Sequence, residues 1–249
     1  MNLDDRMKSY EDVNRSFLPR RLPMIIRVDG RAFHTLTKKF KEPNKSDADF
    51  YTYFGKPFDD RFQATMHWTM QALAEEAQGT VFGFTQSDEI SLLVRDDQTY
   101  ETEPWFGKNI QKIVSVAASI CTREFNMRSN TFATKLAEFD ARAFVLPPEE
   151  VVNYFIWRQQ DATRNSIQGY CQEKIGDRWG KKTARKLLHG KKTAEQQELL
   201  FKETGLNWND LPPRWKRGFC LFRDTLGWRG DNDLPIFTQD RDYINKFML

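Results

Sequence analysis

Two strand-like patterns interrupted by acid constrain the fold of this chain more than any other feature. Residues 25–30 read IIRVDG, and residues 82–93 carry Asp88 and Glu89 between two apolar runs. A carboxylate at the end of a buried strand is costly unless a cation meets it. If two such strands lie side by side, Asp29 and Asp88 come together. Two carboxylates in contact either share a proton or bind metal ions between them. Oxygen ligands on rigid strands suit Mg²⁺, which takes one or two carboxylates plus substrate phosphates.

The bulk properties predict a folded protein with a full core. The chain has 249 residues, of which 39% are hydrophobic, including 20 Phe and 7 Trp. Its net charge of +3 indicates nucleic acid only if the cations are clustered. The dispersed Cys121, Cys171 and Cys220 lack metal-ligand spacing and predict reduced thiols in a cytoplasmic protein. The acidic N-terminus is unlike a signal peptide, and no apolar run is long enough to cross a bilayer.

Periodicity predicts an α+β order in the first part of the chain. The predicted elements are a helix at 5–16, a strand at 24–29, a short helix entered from Arg31, a helix at 59–78 capped by Asp59, strands at 80–85 and 89–94, a helix starting at Pro104 and a strand at 138–146. This order is a split βαβ arrangement, an antiparallel sheet with helices on one face. Both acidic patterns then lie on central strands.

The second part of the chain is predicted to be mostly helical. Helical patterns start at residue 148, and residues 211–225 and 234–247 are predicted to add late strands or extensions. We expect a catalytic core at 1–147 and a helical or mixed region at 148–249 packed on it as one compact unit.

The segment after Asp29 has the composition of a phosphate site. Gly30 has no side chain, so its carbonyl can approach a bound ion, and the backbone N–H groups of residues 31–34 would open a helix whose N-terminus binds phosphate oxygens. The alternative is an ordinary Asp-Gly turn. Asp29 with Asp88 has the composition of a two-metal centre, in which one ion activates a hydroxyl and the other stabilises the leaving phosphate.

Several further side chains are candidates whose alternatives the sequence leaves open. Glu89 is either another ligand or a structural partner of Arg27. Lys56 can reach a triphosphate as a point charge, or it is a solvated loop lysine. The remaining candidate phosphate contacts, each alternatively a surface cation, are Arg27, Lys108, Lys112 and Arg142. His67 is predicted to be structural.

A basic stretch stands apart from the acidic patterns. Residues 178–192 hold seven Lys or Arg and no acid, at helical spacing and interleaved with Trp179 and His189. This pattern predicts a surface for a polyanion such as RNA, and a solvated basic face is the alternative. The candidate RNA contacts are Lys181, Lys182, Arg185, Lys186 and His189.

Six short pieces of the chain resemble the tRNA(His) guanylyltransferase superfamily of 3′–5′ nucleotide-adding polymerases. They are residues 27–34 (RVDGRAFH), 56–59 (KPFD), 86–91 (QSDEIS), 105–108 (WFGK), 139–142 (FDAR) and 157–161 (WRQQD). The resemblance covers about residues 9–224, and the order and spacing of the pieces make it specific.

The resemblance implies a polymerase-palm-like core and a site in which two Mg²⁺ ions are held by Asp29, the Gly30 carbonyl and Asp88. The catalytic candidates are Asp29, Asp88 and Glu89. The candidate nucleotide contacts are Asp29, Gly30, Arg31, Ala32, Phe33, His34, Lys56, Asp59, Ser87, Asp88 and Lys108. The implied reaction joins the 3′-hydroxyl of a nucleotide to the 5′ end of tRNA, with ATP and GTP as substrates, and the implied assembly is a homotetramer.

One departure from the eukaryotic pattern bears on the RNA substrate. Where those enzymes read HINNLYN after the conserved Asp, residues 162–168 here read ATRNSIQ. This looks like the guanylyltransferase-like branch, which favours template-dependent repair of 5′-truncated tRNAs. Two other functions fit the residues less well: a palm-type nucleotide cyclase, which needs no RNA, and a non-catalytic RNA-binding protein.

Overall fold

The computed structural model describes residues 1–43, 51–52 and 56–248. Its elements, in chain order, are α1 (Leu3–Asp12), β1 (Met24–Gly30), α2 (Phe33–Leu36), α3 (Asp60–Glu76), β2 (Thr80–Gln86), β3 (Glu89–Val94), α4 (Ile110–Ser129), β4 (Phe139–Val145), α5 (Val151–Trp179), α6 (Lys181–Leu188), α7 (Thr193–Thr204), α8 (Pro213–Arg217), β5 (Phe219–Asp224), β6 (Gly227–Asp231) and α9 (Asp242–Asn245). The polar segment 41–58, with its Gly and Pro, predicts a surface excursion, and residues 44–50 and 53–55 of it lie outside the described residues. Among these elements no helix is both long and apolar enough to cross a membrane.

The strands form one six-stranded sheet in the order β4-β1-β3-β2-β5-β6, in which every neighbouring pair is antiparallel. The predicted α+β class and split βαβ order are confirmed, and β1 and β3 are central strands. The register pairs Asp29 with Glu89 on one side and with Asp140 on the other. A shift of one residue would turn every side chain of β1 to the opposite face, so this register decides where Asp29 points.

Helices α3 and α4 of the split βαβ unit lie on one face of the sheet, as predicted, and α5 of the C-terminal region covers the other face. On the first face, Ile26 and Val28 pack with α3 and α4 in one core cluster. On the second face, Ile25 packs with Phe155 of α5 in another. The reason is visible in β1, because its apolar residues alternate to both sides and both sides must be buried. The catalytic candidates lie on the second face, beneath α5.

The C-terminal region completes the sheet and builds a third core. Strand β5 pairs with β2, which confirms a late strand within 211–225, and β6, which the sequence did not predict, pairs with β5. Residues 234–247 form turns and α9 in place of a strand. Helices α5 to α7 pack around Ile175, Leu188 and Leu200. The sheet draws strands from both sides of residue 148, and the division into 1–147 and 148–249 stays a prediction.

Two helix starts differ in how well the sequence placed them. The Asp59 carboxylate accepts from the backbone N–H of Arg61 at 2.9 Å, which confirms the predicted cap of α3. Pro104 does not start α4. It precedes a short 3₁₀ turn in which Phe106 and Gly107 have positive φ, and α4 begins after Asn109, whose side chain caps it.

Candidate active site

The ends of β1 and the β2–β3 turn bring Asp29 and Asp88 together, as the sequence predicts. The N–H of Gly30 donates to the Asp88 carbonyl at 3.0 Å, so the residue after Asp29 is bonded directly to the second acid. Ser87 at the turn has φ 51°. A non-glycine residue in this left-handed region costs roughly 1–3 kcal/mol and is concentrated at functional sites.

The Asp29 carboxylate is held on one side and unsatisfied on the other. Its Oδ1 accepts from the guanidinium of Arg27 at 3.0 Å. Its Oδ2 is buried and accepts no hydrogen bond from the described residues, and the guanidinium of Arg142 on β4 is 3.5 Å away. A buried carboxylate oxygen without a donor indicates a missing partner. Among the candidate cations, Arg27 and Arg142 therefore lie at the site.

Asp88 is half-buried, and burial raises the pKa of its carboxyl above the usual range. The nearby charge of Asp29 raises the pKa further, while the hydroxyl of Ser87, which donates to Asp88 Oδ1 at 3.0 Å, opposes the shift. A carboxyl whose pKa is raised by a neighbouring carboxylate favours a cation between the two groups. The described residues contain no cluster of three or more His, Cys, Asp or Glu suited to a metal. Two carboxylates with the Gly30 carbonyl are nevertheless sufficient for Mg²⁺, whose remaining positions go to water and phosphate.

Glu89 is the structural partner that the sequence left as one alternative, and its predicted catalytic role is corrected. Its Oε2 lies 2.8 Å from the guanidinium of Arg27 and 2.7 Å from that of Arg158 on α5. Glu89 is only 5% exposed. Because two guanidinium groups occupy its carboxylate, Glu89 positions Arg27, and Arg27 in turn contacts Asp29.

The series of ion pairs that starts at Glu89 continues along α5. The sequence did not predict this series. Arg158 lies 3.5 Å from Asp161, and Asp161 is paired with Arg164 one turn later. The WRQQD motif contained Arg158 and Asp161, but the motif did not indicate which strand residue they face. The hydroxyls of Ser91 and Tyr154 also bond at 2.8 Å, which ties β3 to the same helix.

The backbone after Gly30 is arranged to present N–H groups. Ala32 is left-handed, with φ 56°, and the first bond of α2 runs from Thr35 N–H to the Ala32 carbonyl at 2.9 Å. Within the described part of the chain, the N–H groups of Ala32, Phe33 and His34 donate to no acceptor. Three N–H groups without an acceptor among the described residues, close in the chain to Asp29, match the predicted phosphate-binding segment.

Gly30 is required here by close packing. A Cβ on Gly30 would lie 2.3 Å from the ring of Phe33, which packs at 5.0 Å centroid distance on Phe139 of the neighbouring strand. The side chains of Arg31 and His34 are exposed and bond to Glu138 and Lys38 respectively. The segment therefore offers mainly backbone groups to a ligand.

An apolar cavity of about 270 Å³ opens beside Ser87, between α3, α5 and α8. Phe58 and Trp215 stack in its wall at 4.7 Å. His67 also lines it, with its ring stacked on Phe219 at 3.6 Å and its Nε2 buried without a hydrogen-bond partner among the described residues. Burial, together with the nearby charge of Arg214, lowers the pKa of His67 to about 3, so the imidazole is neutral at pH 7. The sequence predicted a structural His67 and gave no signal for the cavity.

The predicted nucleotide contacts Lys56, Asp59 and Lys108 differ in their exposure and in their partners. Lys56 is exposed next to the cavity wall. Asp59 lies in that wall, but its carboxylate is bonded to Arg61 at 2.7 Å. The prediction for Lys108 was wrong: it is 1% exposed and pairs with Asp96 at 2.8 Å. Its ammonium also donates to the carbonyls of Pro19 and Leu22, so it anchors the N-terminal segment and is not available to phosphate.

The basic stretch forms α6 and the turn that follows it. Ala184 and Leu188 are buried in the cluster shared with α5. Its cations face outward, and the predicted RNA contacts Lys181, Lys182, Arg185, Lys186 and His189 are all exposed. Their role in binding RNA stays a prediction.

Comparison with known families matches nearly the whole chain. A family model described as tRNAHis guanylyltransferase matches residues 4–52 and 48–147, and one described as Thg1 C terminal domain matches residues 149–241. A probable tRNA(His) guanylyltransferase of Drosophila melanogaster is 29% identical over 87% of this chain and 72% of its own length. The tRNA(His) guanylyltransferase of Debaryomyces hansenii is 28% identical over 94% of this chain and 85% of its own.

Solved structures give the same result. A bacterial tRNA(His) guanylyltransferase (Thg1)-like protein in complex with ATP superposes with a TM-score of 0.85 and 40% identity, covering 99% of both chains. A bacterial protein of that description in complex with GTP has a TM-score of 0.79 and 37% identity, covering 99% of this chain and 98% of the other. The Saccharomyces cerevisiae enzyme, at 20% identity over 93% and 98% of the two chains with a TM-score of 0.72, shares the fold.

Proposed function

The chain belongs to the tRNA(His) guanylyltransferase family and is a nucleotidyltransferase, and we propose that it extends the 5′ end of tRNA in the 3′–5′ direction by a two-metal mechanism. One observation carries the mechanism. The buried Oδ2 of Asp29 has no hydrogen-bond donor in the described structure, beside Asp88, whose pKa is raised by burial and by Asp29 itself.

The residues present fit Mg²⁺. Asp29, the Gly30 carbonyl and Asp88 supply oxygen ligands at the junction of two strands, and a divalent cation would satisfy both carboxylates at once. When bound, the ions would lower the pKa of the attacking hydroxyl and neutralise charge on the leaving phosphate.

The protein's own groups would position the nucleotide. The N–H groups of Ala32, Phe33 and His34 face the phosphates, and the guanidinium of Arg142 adds positive charge 3.5 Å from Asp29. Glu89 and Arg158 hold Arg27 against Asp29, so that carboxylate does not reorient during the reaction. Fixed dipoles and charges of this kind stabilise developing charge without reorganisation.

The apolar cavity would receive a nucleobase. Its opening at Ser87 adjoins Asp88, and its aromatic walls suit a flat heterocycle. The neutral His67 offers it a hydrogen-bonding nitrogen. ATP and GTP complexes of the two bacterial relatives support nucleotide binding at this fold.

We also propose that the RNA substrate is a 5′-truncated tRNA under repair. The greater identity to the bacterial Thg1-like proteins, 40% and 37%, than to the yeast enzyme, 20%, supports this branch. The replaced motif at 162–168 lies on α5 beside the cavity, where Ala162, Asn165 and Ser166 line it. A homotetramer is the expected assembly.

The test measures 5′ extension directly. Purified protein is incubated with Mg²⁺, labelled nucleotides and either 5′-truncated tRNA or intact tRNA(His) lacking its extra guanosine. We expect extension of the truncated tRNA to dominate. Asp29→Asn and Asp88→Asn should each abolish extension while the protein remains folded, and Asp177→Asn, which alters a 60%-exposed carboxylate on α5, should leave it unchanged. Full activity in either site variant refutes the two-metal assignment, and a cyclic nucleotide product would indicate a cyclase.

A further inference from the structure

A second cleft, of about 690 Å³, lies between α5 and the segment that joins α6 to α7. Arg164, Gln168 and Gln172 line it from α5. Arg185, Lys191 and Lys192 line it from the other side. None of the described residues in its wall is acidic. A concave surface lined by cations and amides attracts a polyanion more specifically than a flat basic face does.

The fold creates this cleft by turning the chain back on itself after α6. Ala184 and Leu188 pack on α5, which leaves Arg185 on the outer side of the helix. Gly190, with φ 74°, reverses the chain, and the amide of Gln196 on α7 donates to the Lys191 carbonyl at 2.9 Å and fixes the turn. The two lysines thereby face back toward α5.

The cleft cations are available to a ligand. In the described part of the protein, Arg185, Lys191 and Lys192 form no ion pair, and all three side chains are exposed. Arg164 is the exception, since it is paired with Asp161. When unpaired cations neutralise phosphates, the counterions condensed on the nucleic acid are released. This release is the main source of affinity for nucleic acid backbones.

The neutral part of the lining favours a backbone over a base. Gln168 and Gln172 lie one turn apart on the same face of α5, where their amides can donate to phosphate oxygens. Among the described residues that line the cleft, His189 is aromatic and Phe, Tyr and Trp are absent, whereas surfaces that bind bases chiefly use stacking on several aromatic rings. The composition therefore fits phosphodiester groups, which position a nucleic acid without reading its sequence.

The cleft is connected to the active site along α5. Arg158, which contacts Glu89, and Gln172, at the far end of the cleft, are separated by about 21 Å of helix. Asp161 and Arg164 lie between them and pair with each other. One helix thus joins Glu89, which supports the candidate active site, to the basic cleft, a span that covers several nucleotides of RNA.

We propose that this cleft binds the phosphodiester backbone of the RNA substrate while its 5′ end lies at Asp29 and Asp88. The inference rests on the proposed function. It also revises the sequence prediction, because Arg185 and His189 line the cleft whereas Lys181, Lys182 and Lys186 do not. Arg164, Lys191 and Lys192, which the sequence did not single out, join them.

The experiment measures tRNA affinity against salt concentration, without nucleotide. The double variant Arg185→Ala/Lys192→Ala should weaken tRNA binding by about tenfold or more, and it should reduce the slope of log Kd against log salt by about 1.5, the value for two lost phosphate contacts. The matched control Lys135→Ala/Lys202→Ala removes two exposed cations elsewhere and should weaken binding less than threefold. The charge-preserving variant Arg185→Lys/Lys192→Arg should bind as the wild type does.

Four outcomes would contradict or limit the proposed role of the cleft in RNA binding or the proposed function. Equal weakening in both double-alanine variants would mean general electrostatic attraction and would overturn the proposal, as would unchanged binding in Arg185→Ala/Lys192→Ala. Loss of inorganic tripolyphosphate binding with tRNA binding intact would assign the cleft to free polyphosphates instead. Wild-type protein that binds tRNA through this cleft but never extends it would refute the proposed function and leave the cleft assignment standing.

Discussion

Replacing Glu89 by Gln tests how much the buried ion pair beneath the active site contributes to stability. Glu89 lies 2.7 Å from Arg158, and the two side chains are 6% and 4% exposed. The substitution leaves the buried Arg158 charge with only the carboxylate of Asp161, 3.5 Å away, and removes one of the two carboxylates that contact Arg27. Removing one partner of a buried pair costs about 3–5 kcal/mol. We expect Glu89→Gln to lower the free energy of unfolding by that amount.

The partner variant and the double variant separate the interaction from the rest of the site. Arg158→Met should cost less than Glu89→Gln, because Glu89 keeps the guanidinium of Arg27 at 2.8 Å. In the double variant both charges of the Glu89–Arg158 pair are absent, and the contact of Arg27 with Glu89 is lost in addition. Its cost should therefore fall short of the sum of the two single costs by at least about 2 kcal/mol.

An exposed pair provides the control. Asp4 and Lys8 on α1 are closer, at 2.6 Å, but they are 68% and 64% exposed. Exposed pairs at this helical spacing contribute only about 0.3–0.5 kcal/mol, so Asp4→Asn should change stability by no more than that. The assay is urea unfolding followed by tryptophan fluorescence. A loss below about 1 kcal/mol for Glu89→Gln, or an additive double variant, would refute the reasoning.

Two further predictions follow from buried groups outside the carboxylate pair. Burial lowers the pKa of His67 to about 3, so the unfolded chain binds a proton near pH 6.5 that the folded protein does not. The free energy of unfolding therefore decreases when the pH falls below 6.5, and this group alone lowers it by about 2 kcal/mol between pH 7 and pH 5. His67→Leu should remove that part of the pH dependence in denaturant titrations, and identical pH profiles would contradict it. Lys108→Met should cost about 3–5 kcal/mol by leaving Asp96 buried and unpaired, with an unchanged KM for nucleotide; a raised KM at unchanged stability would restore the phosphate role.

The sequence predicted well those helix ends and strands that depend on residues close to them in the chain. The cap of α3 at Asp59 and the paired strands β2 and β3 follow from side-chain hydrogen bonding and apolar patterns within a few residues. The start of α4 was misplaced because Phe106 and Gly107 adopt positive φ, which the Pro104 signal does not indicate. Lys108 was misassigned because its partner Asp96 and the carbonyls that it meets lie on other segments of the chain.

The sequence by itself determined that two acids end neighbouring strands and that a backbone segment suited to phosphate follows the first. Spacing, strand patterns and turn residues carry that information, since they act between residues close in the chain. Only the tertiary structure decided which acid serves as a candidate ligand and which as a support. Asp29 keeps a buried oxygen without a hydrogen bond, while Glu89, its neighbour across the sheet, is neutralised by Arg27 and by Arg158 from a helix far along the chain. The same holds for the basic stretch. Its composition indicated a polyanion, but only the packing of α6 on α5 selected the cations that face one cleft, because that selection depends on contacts between distant segments.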